Sequence, residues 1–151
     1  MFRIFACLLT LSVFGLAGCT NLFAHCQVPC GIYDDHARVH SMLEDVSTIE
    51  KAVNQIAGLA SKSDALSQNQ LNRWVQTKES HAANIISVTA EYFLTQKIKA
   101  GSLDDKAYIT QLVTCHKLMR AAMKAKQTVD PKAVTELREA VKALGVLYPK
   151  H

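Results

Sequence analysis

Nine consecutive residues, His25-Cys26-Gln27-Val28-Pro29-Cys30-Gly31-Ile32-Tyr33, combine donor types that suit one metal ion. In a chain that begins at His25, the free amine, the next backbone nitrogen and the Cys26 thiolate close two fused five-membered chelate rings. The His25 imidazole, through Nδ1, can swing over the same ion as an axial donor. Cys30 returns a second thiolate if the chain turns sharply. Pro29 and Gly31 favour that turn, one by fixing φ and the other by permitting unusual φ.

The donors are two thiolates, an amine, a deprotonated amide and an imidazole. Planar nitrogen and sulfur coordination with an optional axial nitrogen suits nickel(II) or copper(II), whereas zinc prefers a tetrahedron. Thiolate and anionic amide donors stabilise a higher oxidation state, which aqueous nickel(II) does not reach readily. Copper tends to oxidise thiolates, so nickel is the better fit of the two.

The chemistry requires a free amine at position 25, and the preceding residues bear on that. Met1-Phe2-Arg3 carries one positive charge, and Ile4 to Ala17 then runs without any. That run has the length of a signal-peptide core and is short for a bilayer span. Residues 1–24 are read as a leader, removed by a cut after Ala24, with residues 25–151 as the mature domain. A competing cut exists, because Leu16-Ala17-Gly18-Cys19 resembles a lipoprotein lipobox and would lipidate Cys19. Export to the periplasm or to the medium is the expectation, with a lipid-anchored envelope form through Cys19 as the alternative.

Loss of the leader removes one of the 17 basic residues, Arg3, and none of the 13 acidic ones, so the net charge falls from +4 to about +3. No basic run is dense enough to suggest nucleic acid. A small positive bias helps gather an anionic substrate. Cys7 and Cys19 lie ahead of position 25, leaving Cys26, Cys30 and Cys115, an odd number that suits a disulfide framework poorly. Cys115 falls in a periodic apolar stretch and reads as a buried small hydrophobe.

The elements that must position the arm are helical. Val39, Leu43, Val46, Ile49, Val53, Ile56 and Leu59 recur every three or four residues, marking one apolar stripe. A polar loop is expected around Ser61 to Ser67. A second helix carries Leu71, Trp74, Ala82, Ile85, Tyr92 and Phe93 and stops before Gly101. Ser102-Leu103-Asp104-Asp105 has the form of a capping box for a third helix. Its apolar positions are Tyr108, Ile109, Leu112, Val113, Cys115, Leu118, Met119, Ala122 and Met123. Asp130-Pro131 reads as an N-cap with proline at the first helical position, opening a fourth helix with Val134, Leu137, Val141 and Leu144 on one face. No segment alternates with period two. The fold class expected is all-α, an up-and-down four-helix bundle with an N-terminal metal-binding hook at residues 25–33. Met42, Met119 and Met123 are expected in the core, and His36, His40, His81 and His116 at the surface or satisfied within helices.

His25-Cys26-x-x-Pro29-Cys30-Gly31-x-Tyr33 resembles the nickel hook of the nickel-containing superoxide dismutases at every fixed position. The helical domain is similar too, including Asn72-Arg73-Trp74 through Tyr92-Phe93, so the resemblance spans His25 to about Tyr148. It implies an oxidoreductase that converts superoxide to dioxygen and hydrogen peroxide, with one nickel per subunit cycling between Ni(2+) and Ni(3+). Its metal ligands are His25, through amine and imidazole, Cys26, through backbone nitrogen and thiolate, and Cys30, through thiolate. Tyr33 stands near the open face and orders water or guides the anion. The place where the family carries an acid that orients the axial imidazole falls near His40, with Glu44 one turn later. The family assembles as a homohexamer.

Three other readings compete. One is a non-catalytic envelope lipoprotein that binds a metal or a partner through its arm. Another is a structural zinc arm with tetrahedral ligation. The third is a local disulfide between Cys26 and Cys30. A mature N-terminus at His25 favours the redox enzyme over the lipoprotein.

Overall fold

The computed structural model describes residues 33–101 and 104–149. The leader, the Cys19 lipobox and the arm ligands His25, Cys26 and Cys30 lie outside the described residues. Four helices run up and down: α1 (Asp35–Leu59), α2 (Ala65–Ser87), α3 (Asp105–Gln127) and α4 (Pro131–Leu147). Between α2 and α3 the chain continues directly as a π-helical segment, Val88–Lys97. Among the described residues there is no strand. Helix α1 packs on α2 and α4, α2 on α3, and α3 on α4, closing the ring of the expected bundle.

Each helix starts on an aspartate whose carboxylate accepts a free backbone N–H of the first turn. Asp34 accepts from Ala37 at 2.8 Å, Asp64 from Ser67 at 3.0 Å, Asp104 from Ala107 at 2.9 Å and Asp130 from Lys132 at 2.9 Å. The expected Asp130-Pro131 start is therefore present. The start of α3 differs from expectation: its cap is Asp104, two residues after Ser102, and the carboxylate is the group that reaches the third N–H. Helix α2 likewise opens at Ala65, inside the stretch read as loop.

Phe93, Met42, Ile49, Ile85, Leu118, Leu137 and Leu144 are fully buried at the centre. Removing such side chains from water stabilises the fold by roughly 1.5–3 kcal/mol each. The stripe read on α3 was too wide. Cys115, Leu118 and Ala122 face inward, while Ile109, Val113 and Met123 are exposed. At about 100° per residue, Val113 falls nearly opposite Ala122, so both cannot face one core. Gly145 marks the close approach of α4 to α1, since a Cβ there would sit 3.1 Å from Val39 Cγ1. Gly101 makes the turn out of the π segment at a φ of 78°, a conformation open to glycine.

Side chains support the π segment. Five-residue spacing brings the Ile98 amide to the Phe93 carbonyl at 2.8 Å. Thr95 Oγ1 donates to the Ala90 carbonyl at 2.7 Å, and Gln96 Nε2 to the Glu91 carbonyl at 3.1 Å. The altered winding puts Thr89, Tyr92, Phe93 and Gln96 on the buried side. π-Helical turns inside longer helices often mark functional sites. This one lies beside the first described residue of the arm.

Candidate metal centre and the end of the bundle that carries it

Tyr33, the last residue of the hook motif, is 37% exposed and enters α1 through Asp34. Its ring meets the edge of Tyr92 at 5.7 Å between centroids, with the planes at 74°. Tyr92 meets Phe93 at 5.0 Å, and Phe93 meets Tyr148 at 4.9 Å. A row of four aromatic rings thus runs from the arm into the core, crossing from the start of α1 through the π segment to the end of α4. Edge-to-face pairs of this kind contribute about 0.5–1.5 kcal/mol beyond area burial.

Charged groups organise the same end. Asp35, in the first turn of α1, accepts the Tyr92 hydroxyl on Oδ1 at 2.8 Å and pairs with Lys97 Nζ through Oδ2 at 2.8 Å. Lys97 Nζ also lies 5.2 Å from the centre of the Tyr33 ring, and the Arg38 guanidinium 5.2 Å from that of Tyr92. Burial pushes the Tyr92 hydroxyl well above the ordinary phenol range, and its bond to Asp35 adds to the shift. Tyr148, raised chiefly by burial, donates its hydroxyl to Gln111 Oε1 at 3.1 Å. Both phenols are therefore neutral at physiological pH.

His40 and Glu44 form an exposed pair on α1, Nδ1 to Oε1 at 3.7 Å, with side chains 65% and 71% exposed. His36 and His116 are exposed as expected. His81, which had no partner within its own helix, finds one 36 residues away. Its Nδ1 lies 2.6 Å from Asp45 Oδ1, and Asn84 Nδ2 donates to Asp45 Oδ2 at 2.7 Å. Trp74 is half-buried under the Lys51 ammonium, 5.7 Å from the ring centre. Cys115 is a free, buried thiol that burial pushes up to about 11. No three His, Cys, Asp or Glu side chains converge on a metal-sized site among the described residues.

Sequence reasoning missed the four buried polar residues Asp45, Lys78, Thr89 and Gln96. It also missed Asp35 and Lys97, whose only signal was an acid in a first helical turn.

The described residues thus form an all-α bundle with an aromatic and charged end at Tyr33, the last residue of the motif. The family model of the nickel-containing superoxide dismutases matches residues 20–151, and the chain belongs to that family. Its reaction is the dismutation of superoxide, and nickel is its cofactor. No curated protein and no solved structure matches the chain.

Proposed function

We propose that dismutation takes place at the arm, on nickel held by the chain's own N-terminus after removal of residues 1–24. The observation that carries this reading is the motif His25-Cys26-x-x-Pro29-Cys30-Gly31-x-Tyr33, placed directly ahead of α1 in a member of this family. The donor set fits the ion: two thiolates, an anionic amide and an amine would make a strong ligand field, and thiolates select soft or borderline metals. The Cys115 thiol, protonated and buried, is no competitor.

A nickel ion held there would supply one-electron chemistry between Ni(III) and Ni(II), so that one superoxide is oxidised to dioxygen and the next, with two protons, is reduced to hydrogen peroxide. The residues around it bind, orient and hold protons. His25 would contribute amine and imidazole, Cys26 backbone nitrogen and thiolate, and Cys30 its thiolate. Tyr33 lies at the boundary of arm and bundle, where an ordered phenol can hold water or guide the anion. The supporting Tyr92 and Tyr148 hydroxyls have pKa values raised far above neutrality, so at working pH they donate hydrogen bonds and carry no charge that would repel superoxide.

Processing by export supplies the free amine, and the enzyme acts in the periplasm or medium, assembled as a homohexamer like its family. Leu16-Ala17-Gly18-Cys19 favours a second form, anchored by lipid at Cys19. In that form His25 lies inside a peptide and its nitrogen is an amide. Intact-mass analysis of the purified native protein, with nickel analysis and electron paramagnetic resonance, tests the proposal. A chain starting at His25 with one bound nickel and a nitrogen-split paramagnetic signal is expected. A variant with one alanine added before His25 is expected to lose nickel redox activity, and full activity in it would overturn the chelate.

A further inference from the structure

We infer that Asp35 is a positioning residue for the metal centre, acting with Lys97 to fix the ring of Tyr33 and so the root of the arm. The inference rests on the reading that the arm holds the nickel. Tyr33 lies two residues ahead of α1, outside any helix. Among the described residues its ring meets the Tyr92 ring, 5.7 Å between centroids, and the Lys97 ammonium, 5.2 Å from its own centroid. One carboxylate holds both groups: Asp35 Oδ1 takes the Tyr92 hydroxyl at 2.8 Å and Oδ2 takes Lys97 Nζ at 2.8 Å.

The burial of these groups makes the arrangement more than a surface ion pair. The Asp35 side chain is 18% exposed and that of Lys97 33%, and Tyr92 is 4% exposed. Tyr92 is pinned behind by Phe93 and over its face by Arg38. The carboxylate thus joins the first turn of α1 to the last turn of the π segment. Without the π winding, Tyr92 and Lys97, five residues apart, would not be one turn apart. A lone cation over an exposed ring contributes only about 0.5–1 kcal/mol. Two contacts locked by a shared, mostly buried acid reduce the number of orientations in which the arm leaves the bundle. An ion that needs donors at positions 25, 26 and 30 then binds a chain already directed at one end. When only a fraction of molecules is competent to bind, the apparent dissociation constant rises by the reciprocal of that fraction.

The test uses the processed protein beginning at His25, with Asp35→Asn, Lys97→Met and the double variant. Asp35→Asn keeps an acceptor for Tyr92 and removes the charge that holds Lys97. Lys97→Met keeps the stem and leaves the Asp35 charge at the helix start, so it serves if Asp35→Asn unfolds. The first readout needs no metal: in nickel-free protein labelled with 3-fluorotyrosine, the Tyr33 resonance, assigned by its loss in Tyr33→Phe, should move toward that of free fluorotyrosine. The second is nickel affinity by chelator competition, expected to weaken about tenfold in each single variant and no further in the double, as for two residues acting through one contact. An unmoved Tyr33 resonance, or affinity within threefold of wild type in the folded single variants, overturns the inference. If the wild-type protein itself bound no nickel, the reading of the arm would fail, and the fluorine signal alone would decide the role of Asp35.

Discussion

Two charged hubs of this bundle, Lys78 and Asp35, are built in opposite ways. Lys78 is buried in α2, with its side chain 4% exposed, and its ammonium is consumed where α3 ends. It donates to the Ala125 carbonyl at 3.1 Å, to the Lys126 carbonyl, and to Glu79 Oε1 at 2.7 Å. These carbonyls belong to the last turn of α3, which has no further helical N–H to receive, and a cation there also opposes the helix dipole. Asp35 sits at the arm-bearing end, where it spreads its two oxygens between a phenol and a lysine at the edge of solvent. One hub is spent on closing the fold. The other leaves a ring, Tyr33, partly open next to the proposed site of chemistry. The comparison implies that stability and activity depend on different charged groups and can be disturbed separately.

The sharpest way to break it uses the thiols. Cys26→Ser or Cys30→Ser should reduce dismutase activity to background while helix content by circular dichroism and the thermal midpoint stay at wild-type values. The matched change in the core, Cys115→Ala, should do the reverse. It removes one buried sulfur from α3 and should cost about 1 kcal/mol of stability, with activity per nickel unchanged. Activity lost in Cys115→Ala, or a collapse of the fold in Cys26→Ser, would show that arm and core are not independent.

A smaller effect, confined to stability, is expected at Lys78. Lys78→Ala strands the terminal carbonyls of α3 and leaves Glu79 its longer contact to Lys126 at 3.9 Å, and hydrogen bonds to a charged group are worth about 1.5–3 kcal/mol. Unfolding by urea should show a loss of about 2 kcal/mol at unchanged m-value, with activity per folded, nickel-loaded molecule preserved. Exposed pairs such as Arg138 with Glu50 and Lys124 with Glu136 set the scale for contrast, because pairs of that kind contribute about 0–1 kcal/mol. A loss at Lys78 no larger than theirs would mean that water replaces the ammonium at the end of α3.

The helices and the donor set were legible because both follow short-range rules. Val39, Val46, Ile49 and Val53 recur at helical spacing, and all four are buried. Asp130-Pro131 carries its own capping chemistry, and the arm motif packs its donors within six residues. What could not be read depends on winding and on distant partners. The π segment has no apolar signature, since Thr95 and Gln96 stabilise it by bonds to backbone carbonyls that any helix model leaves paired elsewhere. Asp45 with His81 and Asp35 with Tyr92 join residues 36 and 57 positions apart, so their purpose emerges only when α1 lies against α2 and the π segment. Ile109, Val113 and Met123 misled for a related reason: three apolar residues on an outward face have the same spacing as three on an inward one.

The smallest expected effect tests which part of Tyr33 matters. Its contacts in the described structure are made by the ring, to the edge of Tyr92 and beneath Lys97, and its hydroxyl has no partner among the described residues. Tyr33→Phe preserves both ring contacts, so the dismutation rate by pulse radiolysis should remain within about threefold of wild type, a loss under 1 kcal/mol of barrier. Tyr33→Ala deletes the ring and should weaken nickel retention in the same manner as Lys97→Met, through loss of the fixed root of the arm. If Tyr33→Phe instead lost most turnover while Tyr33→Ala retained nickel, the hydroxyl would be the functional part, acting on water or on the anion, and the ring contacts would be incidental. The pair of variants therefore separates a phenol that handles substrate from an aromatic wedge that aims the arm.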